Sequence, residues 1–198
     1  MWQYKVEMPK SAEIWLARHG ETAWSLSGQH TGRTDLPLLP SGVEQAESLG
    51  RLLDGRKFSL VLTSPLRRAL ETCRIAGYGD VAEVHPDLAE WHYGALEGRL
   101  TADLVAERPG WNLWKDGAPE GESVDQVTAR AQNVIDACLK ADGPVLLFSH
   151  GHLLRFLACA WIGIDPRQLA PRLALSTASL SMLSQDRHSR VIGSWNRV

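Results

Sequence analysis

Cysteine is scarce: Cys73, Cys138 and Cys159 are the only three in 198 residues. Three widely spaced thiols, no pairing of which uses all three, with no C-x-x-C, argue against a disulfide scaffold or a cysteine zinc site and fit reduced side chains in a cytoplasmic protein. Long apolar runs are also missing, so no segment has the length of a membrane span. The first residues, Met1 to Lys10, hold no apolar stretch of secretory-signal size, and residues 1–12 read as an N-terminal tail. An excess of positive charge is missing as well. Twenty-one basic and 23 acidic side chains leave a net charge of -2, which argues against a nucleic-acid partner. Any anion handled here must therefore meet locally placed arginines. Neither G-x-x-x-x-G-K-[ST] nor G-x-S-x-G occurs, which removes the phosphate loop of an ATP user and the nucleophile elbow of a serine hydrolase.

What is present is an ordinary globular balance, 44% hydrophobic and 22% charged, in a chain sized for one domain over residues 1–198. Ile14 to Ala17 reads as a buried strand ending at Arg18-His19-Gly20, followed by a Gly/Ser/Thr/Pro-rich loop from Ser25 to Pro40. Ser41 and Glu44 have capping-box spacing for a helix that stops near Gly55. Phe58–Leu62 is a second strand and Leu66–Ala76 a helix. Val81–Val84 is a weaker strand, and a short helix is expected after Thr101. Ser123 and Gln126 form another capping box, opening a helix to about Ala141. Val145–Phe148 is the clearest strand and Leu153–Ile162 an apolar helix, with β-like segments at Ser179–Leu183 and Val191–Trp195. Strands alternating with helices predict a three-layer α/β/α sandwich around a mostly parallel sheet.

Ligands of such sheets sit at the carboxyl ends of strands. Three strands here end in polar clusters: Arg18-His19-Gly20, Ser64-Pro65-Leu66-Arg67-Arg68 and Ser149-His150-Gly151-His152. If the strands are neighbours, two histidines and at least two arginines converge, a cluster costly to bury without an anion. A phosphoryl group is that anion, because the guanidinium fork matches its oxygens. Glycines 20 and 151 let the backbone approach it.

Leu16-Ala17-Arg18-His19-Gly20-Glu21-Thr22, Ser64 to Thr72, Glu90-Trp91-His92-Tyr93-Gly94 and Ser149-His150-Gly151-His152 occur in the order found in the histidine phosphatase superfamily. The chain resembles that family, also called phosphoglycerate mutase-like, from about residue 13 to its end. The resemblance implies that His19 is a nucleophile forming a phosphohistidine and that Arg18, Arg68 and His150 surround the transferring group. It implies further that Glu90 protonates the leaving oxygen. Arg67 is left as a solvated neighbour of Arg68. No metal and no cofactor are called for. His150-x-His152 has the spacing of two metal ligands, but no aspartate stands at 151–155 to join them.

The family holds mutases as well as phosphatases. Mutases carry an arginine-bearing insertion after the acid glutamate, whereas residues 91–120 here are few and hold only Arg99 and Arg108. Ser25 stands where mutases usually have asparagine. Both points favour a phosphatase acting on a small phosphorylated metabolite; a mutase and a non-catalytic phospho-ligand-binding protein remain the alternatives.

Trp24 to Gly32, Trp111 to Gly117 and His150 to Phe156 are similar to sedoheptulose bisphosphatases and bacterial acid phosphatases. By that likeness Ser25, Gln29, His30, Thr31, Gly32, Tyr93, Gly151, His152, Arg155 and His188 are candidate substrate-binding residues. Among these, Tyr93, Arg155 and His188 would hold a sugar and its far phosphate. His30 replaces a tyrosine of the fungal enzymes. Trp24, Trp91, Trp111 and Trp114 either wall the pocket or pack beneath its loops. The sequence leaves homo-oligomerisation open.

Overall fold

The computed structural model describes residues 13–198. The N-terminal tail, and the reading of it as free of a secretory signal, lie outside the described residues. Six strands build one sheet: β1 Ile14–Arg18, β2 Leu60–Thr63, β3 Ala82–Val84, β4 Val145–Ser149, β5 Leu180–Asp186 and β6 Ser189–Arg197. Their order is β3-β2-β4-β1-β5-β6. The first four are parallel to one another, and β5 and β6 are antiparallel additions beside β1. The helices that matter for the site are α1 Ala23–Ser27, α2 Pro40–Leu53, α3 Arg67–Ile75, α4 Thr101–Glu107, α5 Leu113–Asp116, α6 Val124–Cys138 and α7 Gly151–Ile162.

Strand alternation explains the three layers. Ile14 and Leu16 of β1, with Val145 and Leu147 of β4, pack on the face covered by α6 and α7. Trp15, Ala17, Leu146 and Phe148 point the other way, against Leu49, Leu53 and Cys73 of α2 and α3. Both central strands are apolar on successive positions because both faces are buried. Since α2 follows β1 on one face and α7 follows β4 on the other, a crevice opens between the carboxyl ends of these neighbouring strands. Among the described residues no helix is long and apolar enough to cross a membrane. Cys73, Cys138 and Cys159 are buried and free.

Two local expectations need correction. α2 begins at Pro40 with Leu39 as an N-cap that offers no side-chain bond, so Ser41 and Glu44 form no capping box. The Ser41 hydroxyl instead donates to Glu21 Oε2 at 2.6 Å. At the start of the loop expected from Ser25, the chain makes α1, which begins at Ala23 and is opened by a reciprocal cap between Thr22 and Ser25. The capping box at Ser123 and Gln126 forms as expected.

Candidate active site

The parallel register sets the site. Arg18 pairs with Ser149 and Thr63 with Phe148, so His19, Ser64 and His150 each follow the last paired residue of adjacent strands. His19 N–H donates to Ser149 O and Ser64 N–H to Phe148 O, both at 2.9 Å. These bonds carry the alignment one residue past the strands. Gly20 is needed for packing rather than for an anion: a Cβ there would stand 2.3 Å from Gly42 O in α2. A Cβ on Gly151 would instead press on the Arg18 guanidinium at 3.3 Å.

A cavity of about 460 Å³ opens above these ends. Arg18, His19, Ser25, Gln29, His30, Thr31, Glu90, Tyr93, Gly151, His152 and Arg155 line it, as do Trp24, Trp111 and Trp114. Trp91 lies fully buried beneath it, with its ring 5.7 Å from that of Trp114.

His19 is buried, and its Nδ1 lies 2.7 Å from the carbonyl oxygen of Gly20. A carbonyl only accepts, so Nδ1 carries the proton and the lone pair is on Nε2. Burial first, then the charges of Arg18 and Arg68, hold this imidazole well below its ordinary 6.5.

Behind His19 stand His150 and Arg68, neither of which lines the cavity. The two imidazole rings are 5.2 Å apart. Arg68 Nε donates to His150 Nδ1 at 3.1 Å, which places the His150 proton on Nε2, 2.7 Å from Ser64 Oγ. The remaining Arg68 bonds go to the carbonyls of Thr31, Gly32 and Thr34. Arg68 is therefore a fully buried cation held by dipoles, with no carboxylate in contact among the described residues. Gly32 serves it through its carbonyl and is not at the cavity surface.

Arg18 reaches Leu175 O through Nη1 at 2.5 Å, while its buried Nε has no partner among the described residues. Burial brings its pKa down to about 10. The buried Nε of Arg155 is likewise without a partner. Two such N–H groups in one cavity each cost roughly 1–3 kcal/mol if nothing accepts from them. This is a cost that an anionic ligand removes.

Glu90 sits at the start of α7. Its Oε1 accepts from the N–H groups of Trp91 at 2.9 Å and Leu153 at 3.0 Å, and its Oε2 from that of His152 at 3.0 Å. The carboxyl group thus satisfies free amides at a helix N-terminus. Its segment is fixed from outside by Arg130, which donates to the Asp87 and Ala89 carbonyls and pairs with Glu122 at 2.6 Å.

Ser25 and Gln29 line the cavity but spend their polar groups internally, Ser25 on the α1 cap and Gln29 on Ser27 and Gly98. Thr31 donates to the Gln29 carbonyl, and His30 Nε2 lies 3.2 Å from Thr101 Oγ1. His188 is a correction. β5 starts beside Ala17 at the site end of β1 and runs antiparallel past Ile14, so the turn at His188 is exposed at the opposite edge of the sheet.

Burial makes a pH prediction. It lowers the pKa of His19, His150 and His152 well below 6.5, and that of His30 to a lesser degree. Above 6.5 these imidazoles are neutral in both folded and unfolded chains and add no pH dependence. Below it the unfolded chain gains protons that the folded one refuses, so stability falls as pH falls. Each such histidine contributes up to about 1.4 kcal/mol per pH unit. Thermal unfolding between pH 7.5 and 5.5 should show a flat midpoint followed by a steep decline below about 6.5. A constant midpoint would contradict neutral burial.

A sequence profile described as histidine phosphatase superfamily (branch 1) matches residues 14–198. An acid phosphatase of Mycobacterium tuberculosis is 40% identical over 177 residues, covering 87% of this chain and 86% of the relative. Sedoheptulose 1,7-bisphosphatase of Saccharomyces cerevisiae is 35% identical over 182 residues, covering 75% and 67%. A solved structure of an open-reading-frame product from M. tuberculosis superposes with a TM-score of 0.90 at 37% identity, covering 94% of this chain and 97% of the other.

Proposed function

Because the chain belongs to the histidine phosphatase superfamily, we propose that it is a phosphatase, one domain in extent. It hydrolyses phosphate monoesters of small metabolites through a phosphohistidine on His19. The observation that carries this is the fixed tautomer of His19: Nδ1–H tied to Gly20 O leaves the Nε2 lone pair of a neutral imidazole at the cavity floor. Such a nitrogen attacks phosphorus at neutral pH without a metal to activate it. The N–P bond forms as the bond to the leaving oxygen breaks, and Glu90 gives that oxygen a proton. Water then attacks phosphorus and gives a proton to Glu90 as the N–P bond breaks, which releases inorganic phosphate and restores the His19 lone pair.

Arg18 opposes the charge on the phosphoryl oxygens at the cavity wall, while Arg68 and His150 act from directly behind His19. Rapid acid-free quenching of a turnover mixture followed by ³¹P NMR should show a phosphohistidine, lost in His19→Ala. Phosphate on a serine or an aspartate would overturn the reading.

A sugar phosphate or bisphosphate is the favoured substrate class. Arg155 lines the same cavity as Arg18 and His152, and a relative is named for a sugar bisphosphate. A screen of sugar bisphosphates against monophosphates tests that assignment. Incubation with monophosphoglycerate separates phosphatase from mutase, since isomerisation with little inorganic phosphate would favour the mutase.

No group of three or more metal-ligating side chains occurs among the described residues. Turnover is accordingly expected to be unchanged by EDTA, and loss of most activity would require a metal. The buried free thiols suit the reducing cytoplasm, where we place the protein.

A further inference from the structure

His152 is the second residue of α7 and lies in a wedge of rings: Trp114 at 5.0 Å, Tyr93 at 5.7 Å and Trp91 at 6.0 Å between centroids. Its backbone N–H is held by Glu90, so the side chain starts from a fixed point. Nδ1 lies 2.5 Å from the Tyr93 hydroxyl. Glu90 Oε2, at 3.9 Å from the same nitrogen, is too far to accept from it. Nε2 has no partner among the described residues, and the partly exposed ring lines the cavity.

The two possible directions of the Tyr93–His152 bond are not equivalent. If Nδ1–H donated, the phenolic proton would point into a site where Tyr93 is 1% exposed and no other acceptor lies among the described residues. That would cost roughly 1–3 kcal/mol. If the phenol donates, both groups are satisfied and the imidazole proton moves to Nε2. Burial favours the same outcome by keeping the phenol protonated and the imidazole neutral.

We infer that Tyr93 is a positioning residue for His152: its hydroxyl donates to Nδ1 and fixes the Nε2–H tautomer. His152 thereby presents a hydrogen-bond donor to an oxygen of the leaving group. Tyr93, expected to hold the sugar itself, acts through the histidine. The neutral donor stands beside Arg155 and suits the hydroxyl or ether oxygen of a polyol rather than a second charge. This specificity rests on the phosphatase reading, whereas the tautomer does not.

The test begins without turnover. Long-range ¹H–¹⁵N spectra of ¹⁵N-histidine-labelled protein, with His152→Asn to assign the signal, should show His152 protonated at Nε2. In Tyr93→Phe the signal should move toward a tautomer mixture. A wild-type Nδ1–H form, or no change in Tyr93→Phe, overturns the proposal.

In kinetics, Tyr93→Phe should raise KM for β-glycerophosphate roughly 10-fold while changing KM for p-nitrophenyl phosphate less than about 3-fold. In a His152→Asn background the same substitution should add almost nothing. Equal effects on both substrates, or additive effects in the double variant, would make Tyr93 a structural or directly binding residue. Failure of the wild type to turn over either substrate would refute the phosphatase reading while leaving the spectra to decide the tautomer.

Discussion

Replacing His19 with alanine is expected to reduce kcat for p-nitrophenyl phosphate by more than roughly 10³-fold, as removal of a covalent nucleophile does elsewhere. The histidines on either side of it are poor substitutes. His152 has its Nδ1 lone pair taken by Tyr93 and its proton on Nε2, and His30 Nε2 lies against Thr101 Oγ1. His150 is closest to His19, but it accepts from Arg68 at one nitrogen and faces Ser64 with the other. Neither His152 nor His150 therefore offers an unengaged lone pair to phosphorus. The variant should still fold. The hydrogen bond lost is local to Gly20, and the strand-end bond from the His19 backbone to Ser149 O survives. It should also still bind vanadate or inorganic phosphate, because Arg18 and Arg155 remain. Residual turnover above a hundredth of wild type would contradict the assignment. Partial rescue by added imidazole in His19→Gly, where the ring's space is open, would support it.

The central sheet and its polar strand ends were legible because their signals are local. Two central strands, β1 with its first four residues buried and β4 buried throughout, read as apolar runs, and each leads to its histidine. The helix opened by Ser123 was legible for the same reason, with cap donor and acceptor three residues apart. The failures have the opposite character. Ser41 carries the same local pattern, yet its hydroxyl is taken by Glu21, twenty residues earlier, and the helix starts without it. The short helix α1 was missed because its box uses Ser25 where the usual signal is Glu or Gln.

His188 was misplaced because its side of the sheet depends on the direction of β5, which only the register with β1 reveals. The partnerships that organise the site join residues 40 to 90 positions apart: Ser64 with His150, Arg130 with the Asp87–Ala89 carbonyls, Tyr93 with His152. Motif order implied which residues meet. It could not say that Arg68 would be tied up by carbonyls behind His19, or that Tyr93 would spend its hydroxyl on a histidine.

Glu90→Gln is the variant that separates chemistry from architecture, since Glu90 is placed to serve both. As the proton donor it should matter in proportion to how badly the leaving group needs a proton. Loss of a general acid costs roughly 10²–10⁴ in rate, so alkyl phosphates should fall by that factor. p-Nitrophenyl phosphate, whose leaving group departs as a stable anion, should lose far less. As a structural acceptor Glu90 holds three backbone N–H groups, and the amide can replace most of this. Its oxygen can take the Oε1 position and keep Trp91 and Leu153, which leaves only the NH₂ opposed to the His152 N–H. One such mismatch costs roughly 1–3 kcal/mol of stability. It would show as a lowered thermal midpoint that is the same with either substrate. A structural fault therefore depresses both substrates together, whereas a missing proton depresses the alkyl phosphate selectively. If the ratio of the two rates is unchanged in Glu90→Gln, the carboxylate is a helix clamp and the proton must come from elsewhere in the cavity.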